Sequence, residues 1–158
     1  ETVSPAVGIF GTLGQYLQKF SRHAKVLAEL VVEDDQVPHF SPEAEVQLVR
    51  VIQEALTNVA RHAEANEVLI TLESQGTSII LTITDNGRGI DASVQSRGLG
   101  LVGMRARARA SAGTLTIASS PGKGVTIRAE VQTAEKQTTE KQTREIADVA
   151  QNSNHSGG

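Results

Sequence analysis

The segment from Ser41 to Ala63 constrains the fold most, because it is a long amphipathic helix with an unambiguous start, set among segments that alternate. Ser41-Pro42-Glu43 supplies a side-chain N-cap, a proline where no N–H is needed and a carboxylate near the positive helix end. On a wheel of roughly 100° per residue with Glu54 at zero, Asn58 falls near ~40°, Arg61 near ~340° and His62 near ~80°. Val49, Ile52, Leu56, Val59 and Ala63 fall between ~140° and ~220° on the same wheel. The apolar five are expected to pack on a sheet, leaving the polar four on a face turned away from the core.

That sheet is legible as two hairpins. Glu67 to Glu73 alternates, Ser74-Gln75-Gly76-Thr77 turns the chain, and Ser78 to Thr84 returns. Thr114 to Ser119 and Val125 to Val131 form the second hairpin across Ser120-Pro121-Gly122-Lys123-Gly124. Before the central helix, Ile9, Leu13, Tyr16, Leu17, Phe20 and Ala24 recur at helical spacing, weakened by Gly8, Gly11 and Gly14. Val26 to Val32 reads as a strand closed by Glu33-Asp34-Asp35 and the Pro38-His39 segment. Gly98 to about Ala112 reads as a helix that Gly113 ends. Helices segregated from antiparallel hairpins predict an α+β fold, a two-layer sandwich with one mixed, mostly antiparallel sheet and helices on one face.

A chain of 158 residues, 39% hydrophobic and 21% charged, holds one such domain, expected over residues 1–132. Residues 133–158 are polar, repeat Glu-Lys-Gln-Thr and read as a tail, with Glu145 to Ala150 a short helix too thin in apolar content for a core. The formal charge of −3 gives no basic field for nucleic acid, and no apolar run is long enough for a membrane. No cysteine and four scattered histidines, His23, His39, His62 and His155, leave no disulfide or thiolate metal site and fit a cytoplasmic setting.

Three segments carry chemistry. Glu54, Asn58, Arg61 and His62 make either a solvated helix face or a site: an Asn oxygen suits Mg²⁺, a Glu can orient or deprotonate a hydroxyl or water, and Arg with His can meet phosphate. Asp85-Asn86-Gly87-Arg88-Gly89 is by default a turn, but Ile90 to Arg97 is polar and no return strand follows. The turn therefore opens a loop, where two glycines would let the backbone approach a flat ligand and a carboxylate could accept from an exocyclic amine. Gly98-Leu99-Gly100-Leu101-Val102-Gly103 matches G-x-G-x-x-G, yet a polar loop precedes it and antiparallel hairpins flank it, which excludes a dinucleotide βαβ unit. It is either a loop hinge or a glycine-rich helix start whose N–H groups suit phosphate. Arg105, Arg107 and Arg109 spread around their helix and read as surface charge.

The order of these segments, with Gly122-x-Gly124 between strands, resembles the ATP-binding domain shared by sensor histidine kinases, gyrase, Hsp90 and MutL. Gln53-Glu54-Ala55-Leu56-Thr57-Asn58-Val59-Ala60-Arg61-His62-Ala63 and Gly98-Leu99-Gly100-Leu101-Val102-Gly103-Met104-Arg105 are similar to the two-component sensor kinases related to nitrate/nitrite sensors. The resemblance covers roughly residues 5–132 and implies ATP and Mg²⁺ as cofactors. It implies Asn58 as the Mg²⁺ ligand and Glu54 as the catalytic base or water-orienting group. Arg61 and His62 would approach the phosphates, and Asp85 would read the adenine amine within a pocket shaped by Gly87 and Gly89. Gly98, Leu99, Gly100 and Leu101 would close over the phosphates, with Ile90 to Arg97 a short lid ordered by nucleotide.

The family's last glycine motif usually continues Gly-Thr. Here Val125 follows Gly124, and the hydroxyl comes at Thr126, on the opposite strand face, while the resemblance still implies Thr126 as an ATP-binding residue. Such kinases phosphorylate a histidine followed by an acidic residue on a dimerisation helix, whereas His23 precedes Ala24 and His39 precedes Phe40. The resemblance thus places the dimerisation and phosphoacceptor helices, and a response regulator, among the partners outside this chain. Two rivals remain: a nucleotide-sensing interaction module without transfer, and an anti-sigma-type kinase directed at serine. A gyrase- or Hsp90-like machine would need transducer domains that this length does not hold.

Overall fold

A computed structural model describes residues 9–32, 41–90, 100–132 and 142–151, with side chains from Thr12 onward. The expected turn at Glu33-Asp34-Asp35, the Pro38-His39 segment, most of the 90–97 loop, Gly98, Leu99 and much of the tail lie outside the described residues.

The elements follow in the order α1 (Ile9–Ala24), β1 (Leu27–Val32), α2 (Pro42–Asn58), a π-turn (Val59–Ala63), β2 (Glu67–Gln75), β3 (Ser78–Asp85), α3 (Leu101–Ala110), β4 (Thr114–Ser119) and β5 (Val125–Gln132). The five strands form one sheet in the order β1-β2-β3-β5-β4. β1 runs parallel to β2, and every other pairing is antiparallel. The α+β sandwich with a mixed, mostly antiparallel sheet therefore stands.

Alternation decides which strand residues meet the helices. Val68, Ile70 and Leu72 of β2, Ile79, Leu81 and Ile83 of β3, and Ile127, Ala129 and Val131 of β5 point to one face and share a core with Leu48, Ile52 and Leu56 of α2. Met104 and Ala108 of α3 and Leu13 and Leu17 of α1 complete that core. The burial of Leu13 and Leu17 outweighs the weak helix propensity of Gly11 and Gly14, so α1 persists across both glycines.

Local signals act as expected at the start of α2, where the Ser41 hydroxyl accepts from the Ala44 amide at 3.2 Å. At the end of α3 they do not. Ala112, not Gly113, takes the left-handed conformation at φ 54°, and the Gly113 amide donates to the Ala108 carbonyl at 2.9 Å. Gly113 is required for another reason: a side chain there would strike the Glu130 carbonyl. Residues 142–151 form a helix, slightly longer than expected, exposed along its whole length.

Leu56, fully buried in the last turn of α2, should cost about 2–5 kcal/mol when replaced by Ala. Ser41→Ala should cost about 1 kcal/mol through the lost cap. Chemical denaturation checks both, with the midpoint falling in that order and the slope unchanged.

Candidate functional site

Asp85 is the last residue of β3, in register with Val68, so its side chain falls on the core face of the sheet. It is 7% exposed, among the few buried polar residues of the described chain. One carboxylate oxygen, Oδ1, accepts from the Gly87 amide at 2.8 Å and the Val125 amide at 3.3 Å. The carboxylate is thus held by its own loop and by the first residue of β5. Burial raises its pKa, and those two amides oppose the rise.

Around Asp85 lies a pocket walled by Ala55, Val59, Ile83, Leu101, Val125 and Ile127, with Gly89 and Ile90 at its loop side. Asn58 and His62 reach it from the helix. An apolar slot with one buried carboxylate suits a flat heteroaromatic ring bearing an amine, since walls take the faces and the carboxylate takes the N–H.

The polar four of the central helix do not share a face turned from the core. The buried arc is wider than five residues, because Ala44, Leu48, Val51 and Ala55 are also buried. On the wheel Val51 and Ala55 sit near ~60° and ~100°, so the core edge passes beside Asn58 and His62. Asn58 is half-buried and lines the pocket with His62, while Arg61 is exposed and does not line it. Glu54 is also exposed, yet its carboxylate fills the space where a Cβ on Gly100 would stand. Gly100 has φ 68° and precedes α3, whose first amides receive no side-chain cap. Glu54, Asn58 and the start of α3 are thereby brought together.

The helix does not stay α-helical through Ala63. Val59–Ala63 is a π-turn, followed by Glu64 in the left-handed region. A single-turn π-bulge widens the backbone and re-aims the side chains on it, and such turns concentrate at functional sites. A uniform 3.6-residue wheel cannot register it.

Of the glycines in Asp85-x-Gly87-x-Gly89, Gly89 lines the pocket and Gly87 does not, and both sit where the chain packs tightly on itself. A side chain on Gly87 would strike the Ala63 carbonyl, one on Gly89 the Ser120 carbonyl, and one on Gly124 the Asp85 carbonyl. These glycines let the chain close on itself; the pocket is what those contacts frame. Thr126 is not brought in. Its hydroxyl faces that of Thr84 at 3.4 Å on the far side of the sheet, and Val125 and Ile127 take the pocket side. Strand alternation about Val125 was the signal that could have named both.

Two residues of structural weight carry no signal in the sequence. The Asn86 side chain accepts from the Asn66 and Glu67 amides, each at 3.0 Å. Arg88 donates through Nε to the His62 carbonyl at 2.7 Å.

Among the described residues no group of three or more His, Cys, Asp or Glu could hold a metal. The donor set fits a cation only if most of its ligands come from a bound anion, with Asn58 as a hard oxygen donor, the mode usual for Mg²⁺ on phosphates.

Asp85 has a folded pKa above its ordinary 3.8. Its ionisation therefore costs stability as pH rises through the raised value, and acidification restores that stability until both states are protonated below the unfolded value. Asp85→Asn keeps an acceptor for Gly87 and Val125 and removes the charge. The ligand-free variant should match or exceed the wild-type unfolding midpoint at neutral pH. The difference between the two should shrink as pH falls through the raised pKa, and parallel curves would contradict the buried charge.

Comparison with known proteins places this geometry. Residues 43–135 match the family described as histidine kinase-, DNA gyrase B-, and HSP90-like ATPase. The chain is 34% identical over 122 residues to the signal transduction histidine-protein kinase/phosphatase DegS of Brevibacillus brevis, covering 77% of this chain and 31% of that protein. It is 40% identical over 82 residues to UhpB of Salmonella typhimurium, also a histidine-protein kinase/phosphatase, covering 52% and 16%. The chain thus spans about a third or less of these relatives. Among solved structures, Acinetobacter baumannii histidine kinase AdeS superposes with a TM-score of 0.65 at 21% identity, over 80% of this chain and 64% of that one. The catalytic domain of histidine kinase ThkA gives 0.64 at 14%, over 79% and 90%. With more than half of its length matched and the fold shared, the chain belongs to the histidine kinase-, DNA gyrase B-, and HSP90-like ATPase family.

Proposed function

We propose that residues 1–132 are the ATP-binding catalytic domain of a sensor histidine kinase, with residues 133–158 a tail, acting in the cytoplasm on a histidine outside this chain. The observation that carries the reading is the buried Asp85 carboxylate in an apolar slot, opening toward Asn58 and the uncapped start of α3. Membership of an ATPase family and relatives named as histidine kinases support it, and favour histidine over serine as acceptor. Among the described residues no helix is long and apolar enough to cross a membrane.

Adenine lies over the sheet wall of Ile83 and Val125, and Asp85 accepts the hydrogen bond of its amino group. Asn58 holds Mg²⁺, which when bound neutralises phosphate charge and favours in-line displacement. His62 approaches the phosphates from the pocket edge and Arg61 from outside it. The amides from Gly100 and Leu101 cradle the phosphates, with Gly98 and Leu99 completing the lid. Glu54, poised over Gly100, takes the proton that the acceptor imidazole gives up as its nitrogen bonds to the γ-phosphorus and ADP leaves. The dimerisation and phosphoacceptor helices and a response regulator are the partners this requires.

Titration with a fluorescent ATP analogue should give saturable, Mg²⁺-dependent binding, abolished in Asp85→Ala and stripped of its Mg²⁺ dependence in Asn58→Ala. Joined to an acceptor helix, the domain should yield acid-labile phosphohistidine. Glu54→Gln should slow that transfer about 10²–10⁴-fold, the usual weight of a general base, with nucleotide affinity retained. No binding by a folded wild-type domain overturns the reading, and an acid-stable phosphoserine product would install the serine-directed rival.

A further inference from the structure

We propose that Arg88 is a positioning residue: it staples the π-turn in place, and so sets the His62 and Asn58 side of the nucleotide pocket proposed above, on which this inference rests. A helix end leaves its last carbonyls without intrahelical partners. After this π-turn two of them, on His62 and Ala63, are taken by a single residue. Arg88 Nε donates to the His62 carbonyl at 2.7 Å, and the Arg88 amide donates to the Ala63 carbonyl at 2.7 Å. In the other direction the Arg88 carbonyl accepts from the Gly122 amide at 2.6 Å. One residue therefore joins the end of the helix, the glycine loop and the β4–β5 turn.

All three joined segments adjoin the pocket, through His62 and Ala63, Gly89, and Val125 after Gly124, whereas Arg88 does not line it. Its action is thus through its neighbours. Gly87 makes the approach possible, since any side chain there would meet the Ala63 carbonyl.

The side-chain part of the staple demands arginine. Nε lies within the planar guanidinium, one bond from the aliphatic stem, and lysine has only methylene at that point. Without Nε the His62 carbonyl turns to water. The extra residue of the π-turn is then free to relax toward α-helical register, which rotates His62 away from the pocket.

Arg88→Met and Arg88→Lys test this, because both keep the two backbone bonds. In the ligand-free domain, amide exchange at Val59–Ala63 should accelerate about tenfold in both variants, the loss expected for one charge-assisted bond, while exchange in β3 and β5 stays as in wild type. The His62 imidazole resonances should shift, and affinity for the fluorescent ATP analogue should fall about tenfold. Unchanged exchange and unchanged His62 resonances overturn the staple. Exchange that accelerates across the whole sheet, with affinity of the folded fraction retained, also overturns it, since Arg88 would then only stabilise the fold. Arg88→Lys behaving as wild type overturns the role of Nε. If wild type binds no nucleotide, the proposed function fails, and the exchange at Val59–Ala63 still decides the staple.

Discussion

A buried carboxylate must find donors, and the two that Asp85 finds come from segments far apart in the chain. The Gly87 amide belongs to the loop that Asp85 itself begins, and the Val125 amide opens the last strand of the sheet. Binding both to one oxygen fixes how the end of β3, the glycine loop and the start of β5 meet. The side chain's other oxygen is left to serve the pocket. On the proposed function, burial that is costly for the empty protein is what lets Asp85 recognise an amine.

Around that carboxylate the chain packs backbone on backbone. Gly87 against Ala63, Gly89 against Ser120 and Gly124 against Asp85 are all approaches that a single methyl would block. Three glycines that look like flexible punctuation are thus points of rigidity that frame a slot, and Gly89 also lines it. Arg88 and Asn86 add polar bonds across the same junctions. The side proposed for phosphate is built differently, from an exposed Glu54 over Gly100 and an uncapped helix start. A firm apolar slot beside an open helix start is the arrangement that the proposed function requires, a nucleotide gripped at its base with its terminal phosphate left accessible.

The legible parts of the sequence were those set by short-range rules. Period-two alternation gave both hairpins within a residue or two, and Ser41-Pro42-Glu43 gave the start of α2. Asp85 and Asn58 were singled out through the resemblance, since a turn and a solvated helix face were the local readings of their segments, and the structure brings both to one pocket. What stayed hidden depends on contacts between distant residues. Neither the parallel seat of β1 beside β2 nor the reach of Arg88 to His62 leaves a local trace. The π-turn escaped because a wheel of fixed period absorbs one extra residue without complaint. Gly113 was correctly singled out but for the wrong cause: it yields to the Glu130 carbonyl, while Ala112 takes the left-handed turn. Thr126 was drawn toward the site by resemblance, although its place on the strand faces it outward toward Thr84.

Amide chemical-shift mapping of the isolated domain with an unhydrolysed ATP analogue and Mg²⁺ tests the central claim most directly. The account predicts that the largest changes fall on Gly87 and Val125, whose N–H groups hold Asp85, and on Asn58, His62 and Leu101 around the same pocket. Changes confined to the outer face of the sheet, at Leu69, Thr84 and Thr126, with Gly87 and Val125 unmoved, would contradict it.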